Sequence, residues 1–167
     1  MRHRNIFRSC LLSFLLLLAF SGVYAQQDPI NQQLITAYFE ALNRHDTTAI
    51  AGFYADTASL LSPNWEGAKK GRAAIREVWR RYFTSTPDLH YQVTYVLATP
   101  HTAVVEYDSF GTLSAPEAGT PDYMRNKAYR LHNITRFEIS KGRITHASSF
   151  FDQVDFLKQV GFFDQKN

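Results

Sequence analysis

Midway through this chain the spacing of apolar residues changes, and that change limits the fold more than any single motif. Before it, Leu34, Ile35, Tyr38, Phe39 and Leu42 recur at helical spacing, as do Ile75, Val78, Trp79 and Tyr82. After it, Leu89, Tyr91, Val93, Tyr95 and Leu97 alternate with His90, Gln92, Thr94 and Val96, the period of a strand with one apolar face. Helices grouped before an antiparallel sheet make an α+β domain.

Local signals place the elements. Asp28-Pro29 supplies an N-cap acid and a proline at the first helical position, so a first helix runs to about Arg44. Asp46 caps a short second helix carrying Ile50, Phe53 and Tyr54, which ends before Asp56. Residues 58–61 read as a short strand, and SPNWEGAKKG as a loop rich in turn formers. A third helix starts at Arg72 and is closed by Pro87. Residues 102–112 form the strand after the one at 89–97, and residues 113–127, with two prolines and a glycine, form a long loop. Two further strands, 128–140 and 143–151, meet at Lys141-Gly142. A two-residue turn there puts Ile139 opposite Ile144, Phe137 opposite His146, Asn133 opposite Phe150 and Leu131 opposite Asp152.

The start of the chain, MRHRNIFRSCLLSFLLLLAFSGVYAQQ, follows the order of a secretory signal peptide: Arg2, Arg4 and Arg8, an apolar run over 11–20, then Val23-Tyr24-Ala25. Cleavage is expected after Ala25, giving a secreted or periplasmic protein with one domain over 26–167. The leader carries three of the eighteen basic residues and none of the fifteen acidic ones, so the remainder is formally neutral. That balance argues against nucleic acid or an anionic membrane as partner. The sole cysteine, Cys10, leaves with the leader, and with it any disulfide or thiol chemistry.

AYFEALNRHD, GRAAIREVW, PDLHYQV and the closing GRITHASSFFDQVDFLKQVGFF together resemble the nuclear transport factor 2-like superfamily, in its SnoaL-like polyketide cyclase and ester cyclase branch. The resemblance implies a cone-shaped curved antiparallel sheet wrapped around three N-terminal helices, with a deep and mostly apolar cavity. It implies a cyclase or isomerase acting on a small hydrophobic carbonyl compound without metal or cofactor. In such cyclases one acid at the end of the last strand moves a proton beside a carbonyl, and that position matches Asp152. Tyr38 and Asn133 match donors that would stabilise an enolate oxygen. The base position of the related ketosteroid isomerases matches Ser62, a poor base without a histidine, which argues against that chemistry.

Each of these residues has a second reading. Asp152 stands where a strand stops and a helix starts, so it serves equally as an N-cap, and backbone N–H bonds would weaken it as a base. Tyr38 lies on the apolar stripe of the first helix and is a core candidate; Asn133 needs hydrogen-bond partners wherever it is buried. Tyr54, Trp65, Trp79, Tyr107, His146 and Phe150 are the expected pocket lining. His146 shares the face of Asp152 but lies roughly 20 Å along the strand, too far for a direct acid-base pair. No histidine spacing suits a metal. Asn133-Ile134-Thr135 fits a glycosylation sequon, but falls within a strand. Two functions therefore stand side by side: an acid-base enzyme, and a non-catalytic module holding a small hydrophobic ligand in the same cone. A homodimer through sheet packing is the further expectation.

Overall fold

The computed structural model describes residues 27–164, so the leader expected over 1–25 lies outside the described residues. Helix α1 (Pro29–Asn43) begins where Asp28 accepts the backbone N–H groups of Ile30 and Asn31 at 2.9 and 3.0 Å. Helix α2 (Thr47–Gly52) is started the same way by Asp46. Strand β1 (Tyr54–Leu61) follows at once, so Tyr54, expected in the second helix, opens a strand that is longer than the sequence suggested. A two-residue strand β2 (Lys69–Lys70) leads through Gly71, at φ 85°, into helix α3 (Arg72–Ser85). Strands β3 (His90–Ala98) and β4 (Thr102–Thr112) come next, then the long loop with a 3-10 turn at Asp122–Met124. Strands β5 (Ala128–Ser140) and β6 (Arg143–Phe151) and helix α4 (Gln153–Gln159) complete the order, with a last 3-10 turn at Phe162–Asp164.

The strands form one curved sheet in the order β2-β1-β6-β5-β4-β3. The expected architecture holds, with one addition: β1 runs parallel to β6, and every other neighbouring pair is antiparallel. The inner face packs on the helices through side chains such as Ile35, Leu42, Ile50, Ile75, Phe137 and Ile144, none more than 1% exposed. Gly111 lets the end of β4 approach the α3–β3 connection, since an added Cβ would stand 2.4 Å from Thr86 Cγ2 and 3.1 Å from Leu89 Cα.

Two bulges alter the expected register. Ile139 does face Ile144, but Thr145 is then an extra residue, so Glu138 opposes His146, Phe137 opposes Ala147 and Asn133 opposes Phe151. A single inserted residue exchanges the two faces of the strand beyond it. Ala147, Ser149 and Phe151 therefore turn inward, while His146 and Phe150 turn out. In β3 the shift lies between Val93 and Tyr95, with Thr94 unpaired. The apolar face expected from Leu89 to Leu97 is thereby split: Leu89 and Tyr91 are buried, Tyr95 is 48% exposed, and Ala98 takes the core side. Both bulges have the same local support, a threonine hydroxyl donating to a carbonyl of the neighbouring strand, Thr94 to Glu106 and Thr145 to Glu138.

Candidate functional site

Between α3, the inner face of the sheet and the 113–127 loop lies a cavity of about 410 Å³. Aromatic groups from every side line it, among them Trp65, Trp79, Tyr82, Tyr91, Tyr107 and Phe151. Trp79 meets Tyr91 edge-on at 6.2 Å, and Tyr91 lies 5.9 Å from Tyr107, so the wall is a continuous aromatic surface.

The polar groups of the cavity are mostly neutral and mutually engaged. Asn133 is 5% exposed, and its Nδ2 donates to the Leu131 carbonyl at 2.8 Å and to Ser109 Oγ at 3.0 Å. Its Oδ1 accepts no hydrogen bond from the described residues. Tyr107 Oη, Thr135 Oγ1 and Ser149 Oγ form a chain with links of 3.0 and 2.8 Å. Below this floor the hydroxyls of Tyr38 and Tyr54 share a hydrogen bond of 2.8 Å, beside a void of about 10 Å³. The Trp79 indole N–H faces the Tyr54 hydroxyl without reaching hydrogen-bond geometry. Burial pushes the phenols of Tyr38, Tyr54, Tyr82, Tyr91 and Tyr107 above their ordinary value of 10.0, because a buried phenolate is poorly solvated. They remain neutral hydrogen-bonding groups at physiological pH.

Charge is confined to Lys69, Arg81 and Glu117 among the described lining residues. Arg81 on α3 pairs in a bidentate manner with Glu117 on the long loop. The Arg81 hydrogen bonds hold the Glu117 carboxyl below its ordinary value of 4.5. The loop is closed at its base, where the Leu113 N–H donates to the Lys127 carbonyl and the Asn126 N–H to that of Leu113. It is also tied to α3 by the Ala115 N–H on the Ser85 carbonyl at 3.2 Å. With Leu113, Pro116, Glu117, Thr120 and Met124 lining the cavity, it is the cavity's lid.

The expected site residues separate into two groups. Asn133, Trp65, Trp79 and Tyr107 line the cavity. Asp152 does not: its Oδ1 accepts the N–H groups of Val154 and Asp155 at 2.9 and 3.0 Å, and the residue is exposed at the start of α4. That placement corrects its catalytic assignment, because the carboxylate is turned to the helix backbone. Tyr38 and Tyr54 are also corrected, since they lie beneath the cavity floor and bond to each other. His146 and Phe150 are on the outer face, exchanged there by the Thr145 bulge; His146 sits between Ser59 Oγ at 2.6 Å and Ser148 Oγ at 2.7 Å, and Phe150 is 57% exposed. The sequence reading overlooked Ser149 and Phe151, which the same bulge brings inward, and the charged trio. A signal for the trio existed in Lys69 of the turn-rich 62–71 segment, Arg81 of α3 and Glu117 of the long loop, but nothing in the spacing joined them.

A family model for the SnoaL-like domain matches residues 35–147. The chain belongs to the SnoaL-like domain family. That places it in the SnoaL branch of the nuclear transport factor 2-like superfamily, and solved structures share its fold. A provisionally named polyketide cyclase from Xanthomonas campestris is 24% identical, with a TM-score of 0.68 over 79% of this chain and 97% of that one. The provisionally named polyketide cyclase IdmH from Streptomyces antibioticus is 21% identical, with a TM-score of 0.65 over 78% and 97%. A Catenulispora acidiphila protein of ketosteroid isomerase-like fold, solved with trimethylamine, is 16% identical, with a TM-score of 0.64 over 77% and 92%. Among curated proteins, none matches the chain by sequence. What this SnoaL-like cavity offers chemically is an aromatic enclosure with neutral hydrogen-bonding groups and one ion pair at its lid.

Proposed function

We propose that this SnoaL-like protein is a binding module that holds a small, largely apolar molecule in its aromatic cavity without acid-base turnover by Asp152. The observation that carries this reading is the state of the carboxylates: Glu117, the one that lines the cavity among the described residues, is engaged by Arg81, and Asp152 caps α4. A general base needs a free lone pair and a pKa near the working pH, and Glu117 is moved the other way. The Asn133 Oδ1 and the neutral hydroxyls would orient a ligand carbonyl or hydroxyl. The leader expected over 1–25 supports an extracytoplasmic carrier of this kind.

Both tryptophans of the chain, Trp65 and Trp79, line the cavity, so their emission reports on occupancy. Anthracene-2-carboxamide, a flat uncharged probe, is expected to quench that emission and to saturate at one molecule per chain. Asn133→Leu is expected to weaken it by about tenfold, in line with the loss of one buried hydrogen-bonding group, whereas Asp152→Asn leaves it unchanged. Failure of the probe to bind, or a large effect of Asp152→Asn on its affinity, overturns the reading.

A second reading, a cofactor-independent cyclase, draws support from the neighbours named as polyketide cyclases. In it the acid would be Glu117, released from Arg81 when substrate enters. Carbonyl substrates turned over by the wild type and not by Glu117→Gln would favour it.

A further inference from the structure

We propose that the molecule bound here is an organic acid, with its apolar body among the aromatics and its carboxylate held at the mouth by Lys69. This deepens the binding reading above and rests on it. The argument begins with charge. Of the three charged groups lining the cavity, Arg81 and Glu117 neutralise each other, and Lys69 pairs with no carboxylate among the described residues. A half-buried lysine lining a mostly apolar cavity favours an anion there, since low-dielectric walls strengthen its field.

The position of Lys69 is fixed. Its backbone pairs with Leu60 across β1 and β2, and its Nζ lies over the Trp65 ring, 5.8 Å from the centroid. Trp65 is itself packed 6.1 Å from Tyr82, whose hydroxyl accepts Asn64 Nδ2 at 2.6 Å. The Trp65 indole N–H is buried and has no hydrogen-bond partner. A carboxylate at the mouth would take the Lys69 ammonium, leaving the ring system of the acid to fill the volume between Trp79, Tyr91 and Phe151. A neutral ligand would leave Lys69 without a counter-charge.

The test compares anthracene-2-carboxylate with anthracene-2-carboxamide, nearly equal in shape and different in charge, by fluorescence anisotropy of the probe itself. The carboxylate is expected to bind about tenfold tighter, the scale of one charge-assisted hydrogen bond over a neutral one. Added sodium chloride is expected to narrow that difference. Lys69→Met is expected to abolish the preference for the carboxylate, and Lys69→Arg to preserve it. Equal affinities in the wild type, each saturating at one probe per chain, would overturn the acid and leave the binding module standing. Equal weakening of both probes by Lys69→Met would also overturn it, because that is the mark of a structural role. Binding of neither probe would remove both proposals together.

Discussion

Asp152 illustrates how a single side chain is committed by its nearest backbone. Its Oδ1 holds the N–H groups of the second and third residues of α4, as Asp28 and Asp46 hold those of α1 and α2. Asp152→Ala is therefore expected to lower the denaturant midpoint by a cost of about 1 kcal/mol, with Asp152→Asn close to neutral because asparagine also caps. Such capping was legible in the sequence, since it depends only on residues two and three positions away. Whether a carboxylate at that position also looks into a cavity was not legible, because orientation follows the chain's path in three dimensions. The tyrosines carry the second expectation at this scale. The phenols of Tyr38, Tyr54, Tyr91 and Tyr107 are raised above 10.0 by burial, so the unfolded chain ionises them first. Their contribution to stability is complete below pH 10 and is lost as pH rises through the folded values. Absorbance at alkaline pH should show the exposed phenols titrating ahead of a second fraction that ionises only as the circular dichroism signal of the fold is lost.

At the scale of elements, the strands over 102–112, 128–140 and 143–151 match their sequence limits, because alternation and turn residues mark them directly. The bulges at Thr94 and Thr145 escaped the same reading. Each leaves composition unchanged and is recognised only by the partner strand, where one residue has to face two. Asn133 was correctly placed inward despite the shift, whereas His146 and Phe150 lay beyond the bulge and changed face. The lid is the element with most at stake for the site. Glu117→Gln is expected to speed hydrogen exchange of the 113–127 amides and to increase the dissociation rate of bound probe, with little effect on the sheet. Because the Glu117 carboxyl is held below 4.5, its tether to Arg81 is present above that value and is lost as pH falls through the lowered one. The wild-type lid should therefore approach the behaviour of Glu117→Gln in acid.

At the scale of the whole molecule, the outer face of the sheet carries a register-matched row of Phe150, Ile134, Glu106 and Tyr95 across four strands. Phe150, Ile134 and Tyr95 are 57%, 41% and 48% exposed, an apolar row on the outer face that only Glu106 interrupts. The expected consequence is self-association through this face, with Phe150→Glu converting the assembly to monomer in sedimentation velocity while probe binding on the opposite face persists. The fold class and the cavity followed from the sequence through the period change and the family resemblance. The parallel pairing of β1 with β6 did not, since Ser59 and His146 stand 87 residues apart and nothing local joins them. That pairing also sets a timetable for synthesis. At roughly 5–20 residues per second, β1 waits about 4–17 s after leaving the ribosome before its partner exists. Until then β1 has only the two-residue β2 beside it, and the growing chain depends on its early helices, or on a chaperone, to keep its other edge from pairing with another nascent copy.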